Sequence, residues 1–295
     1  MKQDINIAVL GGDARQIFAA ERLARYGYTV TTWGLSDYAE GVLACETPEE
    51  AVRRAHIWLL PLPLSRDNLQ LNGTSLTLSA LGDLLHSELV VFCGMPHECF
   101  KEACVTCGAK IVDYSQDEIF LLQNALPTAE GAVAIAMNEM RRTLFGSDAL
   151  IVGYGRIGKL LADLLVRMGV HVTVAARKAS DLAVAELHGC KGLLLEREPV
   201  TLQYRLPILK QDFHVIWNTV PSRVIDREIL GNLHRNTVLI DLASSPGGID
   251  YDAANSLGLK TVIALSLPGK VAPITAGEII GNCVNRYLEG GGNGR

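Results

Sequence analysis

The run Ile151-Val-Gly-Tyr-Gly-Arg-Ile-Gly158 constrains this chain more than any other segment. Leu150 to Val152 reads as the end of a buried strand, and Lys159 to Met168 as an amphipathic helix. His171-Val-Thr-Val-Ala175 reads as a second strand. Gly153, Gly155 and Gly158 have the Gly-x-Gly-x-x-Gly spacing between strand and helix, the context in which that spacing marks a dinucleotide site. The first glycine makes the tight turn, the second lets backbone approach a pyrophosphate, and the third lets helix and strand pack closely. Gly153, Gly155, Arg156, Ile157 and Gly158 are therefore the expected pyrophosphate contacts, at a helix start that favours anions.

An acidic residue after the second strand would hold the ribose 2′-hydroxyl of NAD. Here the chain reads Ala175-Ala-Arg-Lys-Ala-Ser180, with no carboxylate before Asp181. A guanidinium pairs with a 2′-phosphate in a forked geometry and stacks on adenine. Ala176, Arg177 and Lys178 are thus the expected ribose contacts, and NADP(H) is favoured over NAD(H). The alternative is a solvated Arg-Lys pair with Asp181 as the acid.

A length of 295 residues suits two domains. The net charge of -5 argues against nucleic acid or an anionic membrane as main partner. No apolar run approaches a membrane span, and the polar first ten residues read as a strand rather than a signal peptide, so a cytoplasmic protein is expected. Seven cysteines without a framework suit free thiols. Cys104-Val-Thr-Cys107 reads as part of a helix capped by Gly108 rather than as a metal site, and no metal is expected.

The N-terminal half repeats the pattern: Asn6 to Leu10 as strand, Gly11-Gly-Asp13 as turn, Ala14 to Tyr26 as helix, then strands at Tyr28–Trp33, Ile57–Leu60, Leu89–Phe92 and Lys110–Asp113. Alternating strands and helices imply parallel sheets covered on both faces. The expected fold is α/β, with two Rossmann-like parallel-sheet domains and a cleft between them. Residues 1–123 plus a C-terminal helix over 273–289 form a substrate or partner domain. Residues 124–272 form the NADP domain, reached through an inter-domain helix, and 290–295 a disordered tail. That helix is expected to start at Pro127, with Thr128 as cap and Glu130 in its first turn. The first loop lacks a third glycine. Gly11, Gly12 and Arg15 can hold a small carboxylate, or Arg15 can pair with Asp13 in a tight turn; both readings stand.

Strands at His214–Val220, Thr237–Asp241 and Thr261–Ala264 end in loops where ligands of open α/β sheets bind. Asn218, Thr219, Val220, Pro221, Leu242 and Ala243 are expected beside the cofactor. Ser244, Gly247 and Lys270, in the loops after Asp241 and at Ser266–Lys270, are expected near substrate. Two-domain D-2-hydroxy acid dehydrogenases keep an Arg in the first of these loops and a His before the last helix. This chain has Ser244, Ser245 and Leu267-Pro-Gly-Lys270 there, which leaves a 2-keto or hydroxy acid dehydrogenase as a weaker alternative.

Taken in order, Gly11-Gly-Asp-Ala-Arg-Gln16, Leu126-Pro-Thr-Ala-Glu-Gly131, Gly153-Tyr-Gly-Arg-Ile-Gly158, Ala176-Arg177, Asn218-Thr-Val-Pro221, Asp241-Leu-Ala-Ser244, Pro246-Gly-Gly248 and Leu267-Pro-Gly-Lys270 through Thr275-Ala-Gly277 resemble the dipicolinate synthase A-subunit family of spore-forming bacteria. The resemblance implies NADP-linked oxidation of a dihydrodipicolinate-type intermediate to pyridine-2,6-dicarboxylate in the sporulating mother cell. It also implies a flavoprotein-like B subunit as partner, within an oligomer.

The residues are compatible with that chemistry. Oxidising a dihydropyridine removes a hydride and a proton, and aromaticity drives it, so holding a flat dicarboxylate in place is the main task. Arg15, the Gly11-Gly12 turn, Thr128, Gly247-Gly248 and Lys270 are candidate carboxylate contacts. Glu130 is a candidate proton acceptor or only a helix charge, and Ser244 a ligand donor or a turn residue. His97 reads as a surface loop residue. The absence of an evident acid–base pair also suits an NADP-sensing or scaffolding subunit whose partner does the chemistry.

Overall fold

A computed structural model describes residues 2–197, 203–209 and 211–290. The chain divides into two compact units, one of residues 1–124 and 268–295, the other of residues 125–267.

In the first unit the strands are β1 (Asn6–Leu10), β2 (Thr29–Trp33), β3 (Leu43–Ala44), β4 (Ile57–Leu59), β5 (Val90–Cys93) and β6 (Lys110–Asp113). They form one parallel sheet in the order β3-β2-β1-β4-β5-β6, the order of a dinucleotide-binding sheet. Strand residues alternate between two cores. Ile7, Val9, Ile57 and Leu59 pack on one face, Ala8, Leu10, Trp58 and Leu60 on the other. Helices α1 (Ala14–Arg25), α2 (Pro48–Val52), α3 (Leu78–Asp83) and α4 (Glu98–Cys107) connect the strands. Gly108 closes α4 in the left-handed conformation.

Helix α5 (Glu118–Glu139) carries the chain across the division between the units. The second unit holds β7 (Asp148–Val152), α6 (Arg156–Arg167), β8 (His171–Ala176), α7 (Ala179–Leu187), β9 (Lys191–Leu194) and a short antiparallel pair, β10 (Glu196–Arg197) and β11 (Tyr204–Arg205). It continues with β12 (Val215–Asn218), α8 (Arg227–Gly231), β13 (Val238–Asp241), α9 (Tyr251–Ser256) and β14 (Lys260–Ile263). Its main sheet is parallel, ordered β14-β13-β12-β7-β8-β9, the same topology again. Helices α10 (Leu267–Val271) and α11 (Pro273–Glu289) end the fold. Ile279, Ile280, Cys283 and Val284 of α11 share a core with Ile17, Ala20 and Leu23 of α1. A Cβ at Gly277 would strike the backbone of α1 at Arg15, so glycine sets the closeness of that helix pair.

Three expectations need correction. Helix α5 does not start at Pro127 but runs through it from Glu118. Asp117 is the cap, its Oδ1 accepting from Phe120 N at 2.6 Å. Pro127 removes one intrahelical bond, a cost of about 3 kcal/mol in a helix interior. Burial on both sides of it offsets that cost, through Phe120 in one core and Ala129, Ala132 and Ala136 in the other. Second, by length and composition α5 is apolar enough to cross a membrane, contrary to the reading of the sequence. Third, Leu267 to Lys270 is not loop but part of α10. The tail over 291–295 lies outside the described residues.

Candidate functional site

The second sheet reverses direction of build between β7 and β12, and the loops after these strands meet there. Gly153 follows β7 with φ of 100°, open to glycine and strained for other residues. A Cβ at that position would also strike the Thr219 hydroxyl. That hydroxyl donates to Val152 O at 3.0 Å, and Thr219 N donates to the same carbonyl at 2.9 Å. A Cβ at Gly158 would enter the Gly153 carbonyl. Gly155 differs from both. It is the N-cap of α6 with no side-chain cap, and a Cβ there would meet nothing within 4 Å among the described residues. Two of the three glycines are thus explained by the chain's own packing, and the middle one is not. Intrahelical bonding begins with Lys159 N donating to Gly155 O at 2.9 Å, so α6 offers its opening amides and the positive end of its dipole beside that space. The arrangement fits a pyrophosphate, with Gly153, Gly155, Arg156, Ile157 and Gly158 along the turn.

The loops after β12 and β13 are tied by one carboxylate. Asp241 is fully buried, and its oxygens accept from Asn218 Nδ2 at 2.8 Å, Ala243 N at 3.0 Å, Gly248 N at 2.9 Å and Tyr251 Oη at 2.8 Å. Burial, then the hydrogen bond to Asp241, raises the Tyr251 hydroxyl well above its ordinary value and keeps it a donor. Asn218 also donates to Val220 O at 2.9 Å. Asn218, Leu242 and Ala243, expected beside the cofactor, sit around this hub. All three are buried, and Leu242 N is spent on Asn218 O. Thr219 and Val220, half-buried, and Pro221, exposed, are the members of this group at the surface. The amides of Gly247 and Gly248, candidate carboxylate contacts, donate to Ser244 O and Asp241. Nothing in the sequence near Asp241 announces this hub, whose donors come from three separate segments.

At the end of β8, Ala176 is buried while Arg177 and Lys178 are exposed. The Arg177 guanidinium lies 5.6 Å from the centre of the Tyr204 ring on β11. Such a cation–π contact orients the guanidinium plane and leaves its edge for an anion. Sequence reasoning misses Tyr204; a lone aromatic on a two-residue strand carries no periodic signal. Asp181 lies in the first turn of α7.

The matching place in the first unit is filled by the chain itself. Gly11 N donates to Trp33 O at 2.9 Å and Gly12 N to Asn72 O at 2.6 Å. Gly73 lies so close that its Cβ would strike the Gly12 carbonyl. Arg15 is 6% exposed, and its Nε and Nη2 each donate to Asp13 at 2.8 Å, with Nη2 also reaching Leu62 O at 2.6 Å. Gly11, Gly12, Asp13 and Arg15 therefore form a closed turn, the second of the two readings of this loop, with Arg15 paired to Asp13. Burial alone would raise the Asp13 carboxyl, but the Arg15 hydrogen bonds and charge outweigh it and hold it below 3.8. A depressed carboxyl stabilises the fold above its unfolded value and loses that contribution as pH falls through its folded value. Asp13→Asn is expected to cost about 3 kcal/mol at neutral pH, the lower end for stranding a buried charge because Asp13 is partly exposed. In urea titrations the gap to the parent chain should close below pH 3.8; a gap independent of pH would contradict the ion pair.

The remaining candidates lie on separate elements of the chain. Thr128 is buried in the interior of α5 rather than capping it, and Glu130 is exposed two residues on, not in a first turn. Ser244 and Ser245 are exposed, and Lys270 is exposed on α10. His97 stands at the N-cap position of α4 without a side-chain capping bond, its Nδ1 3.1 Å from Cys99 Sγ.

Two sheets of this topology, one with an open glycine turn, define the two-domain dehydrogenase architecture. A transhydrogenase structure from Sinorhizobium meliloti shares that fold at a TM-score of 0.70 and 17% identity, with 96% of this chain and 93% of that one covered. Closer similarity points to one family. Residues 6–115 match the family described as the N-terminal domain of the dipicolinate synthase A subunit. The dipicolinate synthase A subunit of Bacillus subtilis is 27% identical over 98% of this chain and 97% of its own length. The crystal structure of the dipicolinate synthase A subunit from Bacillus halodurans superposes with a TM-score of 0.83 at 25% identity, covering 98% and 99% of the two chains. The similarity to dipicolinate synthase A subunits thus runs the length of the chain, as the motifs lead one to expect.

Proposed function

We propose that this chain is the NADP-binding, hydride-accepting subunit of a dipicolinate-forming oxidoreductase. The observation that supports this most is the space at Gly155, which the chain leaves open at the start of α6. On this reading the second unit holds NADP+, the glycine turn takes the pyrophosphate, and Arg177, braced by Tyr204, takes the 2′-phosphate. NADP+ held there would supply the hydride acceptor for oxidation of a dihydrodipicolinate-type ring to pyridine-2,6-dicarboxylate. The proton that leaves the ring passes to water or to Glu130, whose exposure on α5 leaves it in contact with solvent. Ser244 and Thr128 are the remaining candidates for substrate contacts. The first unit, with Lys270, serves substrate and partner. The chain works with a flavoprotein-like B subunit, in an oligomer, in the mother cell of a sporulating bacterium.

The purified chain, freshly made dihydrodipicolinate and NADP+ are mixed with and without the partner, and absorbance of the reduced cofactor is followed. Reduction by the chain alone is expected and would remove the scaffold alternative. No reduction even with the partner would overturn the synthase reading. Arg177→Ala should weaken NADP+ by about tenfold or more, from the loss of charge-assisted bonds, and change NAD+ little. Equal losses for both cofactors, measured by fluorescence titration, would remove the 2′-phosphate assignment.

A further inference from the structure

The parallel sheet of the second unit has a second end. Opposite the glycine turn, at the N-terminal ends of its strands, lies a cavity of about 710 Å3. Its walls come from the end of α5 and the residues just beyond it, the turns ahead of β12 and β13, and the start of β14. That volume falls within the roughly 300–1,000 Å3 of small-ligand sites. We propose that this cavity binds a small polyanion, a ligand carrying phosphate or carboxylate groups.

The charges here run against the rest of the molecule. The chain is net -5, yet the cavity is lined by Arg141, Arg142, Arg235 and Lys260 against Glu139 and Asp212. Lys260 is paired with Glu139. Among the described residues, the three arginines therefore face Asp212 as the one remaining lining carboxylate.

The two lining histidines add donors rather than acceptors. His214 Nδ1 accepts from Asp148 N at 2.9 Å, and His234 Nδ1 accepts from Asn236 N at 3.1 Å. Each neutral ring must then carry its proton on Nε2. His214 Nε2 stands directly against Arg142 Nη1. A guanidinium has no acceptor, so with Nε2 protonated both groups are donors. Asp148 Oδ2 lies 3.9 Å from the ring on the Nδ1 side. An anion bound in the cavity against these two groups accepts from both. Planar, forked arginine groups suit phosphate and carboxylate oxygens better than lysine would. Buried Phe213 and Val238 line the same cavity and supply apolar surface for the body of such a ligand.

The site is distinct from the nucleotide loops. Strand β12 separates them, with Val215 next to His214 and Asn218 at the far end. The test must nevertheless separate two anion sites, because the start of α6 also suits pyrophosphate. Calorimetric titration of the full chain with inorganic pyrophosphate, and separately with citrate, is expected to show a site that survives Gly155→Val. Arg142→Gln with Arg235→Gln should weaken that site at least about tenfold for each probe it binds, as expected for loss of charge-assisted contacts. Both arginines are exposed, so circular dichroism and melting temperature should match the parent chain. Pyrophosphate alone binding would identify phosphate as the recognised group, and citrate alone carboxylate. Binding of both probes weaker than about 10 mM, or equal binding by the double variant, would overturn the proposal. If Gly155→Val instead leaves every anion site intact, the nucleotide reading fails while this one stands.

Discussion

Asp241→Ala should cost the second unit a large share of its stability. Four donors converge on that carboxylate: Asn218 Nδ2, Ala243 N, Gly248 N and Tyr251 Oη. Asp241 is 0% exposed, so water does not replace it without the loops opening. Each buried donor left without an acceptor costs about 1–3 kcal/mol, and the losses are coupled rather than additive. A total of about 4–6 kcal/mol is expected, against the roughly 5–15 kcal/mol that hold a domain folded. Asp241→Asn should cost less. It keeps one acceptor oxygen but turns an amide toward groups that also donate. Urea unfolding followed by tryptophan fluorescence, with Trp33 and Trp58 replaced by Phe so that Trp217 reports alone, would show the order, parent above Asn above Ala. An Ala variant within about 1 kcal/mol of the parent would mean that the loops do not depend on the hub. Tyr251→Phe removes a single donor together with its hydroxyl and leaves three bonds in place, so it should cost only about 1 kcal/mol.

The hub also shows where sequence reasoning stops. The strands are legible because alternating residues serve two cores: Leu150 and Val152 on one side of β7, Ala149 and Ile151 on the other. The glycine turn is legible because Gly153 and Gly158 answer to local backbone demands that few residues meet. Asp241 is not, since an aspartate ending a strand looks like any exposed loop carboxylate until its donors at 218, 248 and 251 are brought to it. The first unit misleads for the same reason. Its Gly11-Gly12 turn resembles an anion site in sequence, and what closes it is Asn72 and Gly73, some sixty residues away. Pro127 misleads in a different way. Local propensity puts a helix start there, while the residues before it, capped by Asp117, already commit to the helix. Cofactor contacts read as a contiguous stretch, such as 218–221, separate in the structure into a buried brace, Asn218, and surface positions, Thr219 to Pro221.

The three glycines of the fingerprint should respond differently to substitution, and that difference tests whether a ligand or the fold selected them. Gly155→Val should fold as the parent does. Its φ of -85° and ψ of -159° suit any residue, and the added atoms enter space that the described residues leave empty. On the proposed function that space takes the pyrophosphate, so NADP+ affinity should fall about a hundredfold or more. Gly158→Ala should act the other way. Its methyl group meets the Gly153 carbonyl, and relieving that overlap costs about 1–3 kcal/mol as α6 shifts from β7. Binding then falls as a consequence of the shift. Melting temperature and cofactor titration on the two variants separate the causes. A Gly155→Val chain that binds NADP+ as the parent does would show that the open turn serves no dinucleotide. One that melts as early as Gly158→Ala would show that packing, not a ligand, keeps that glycine.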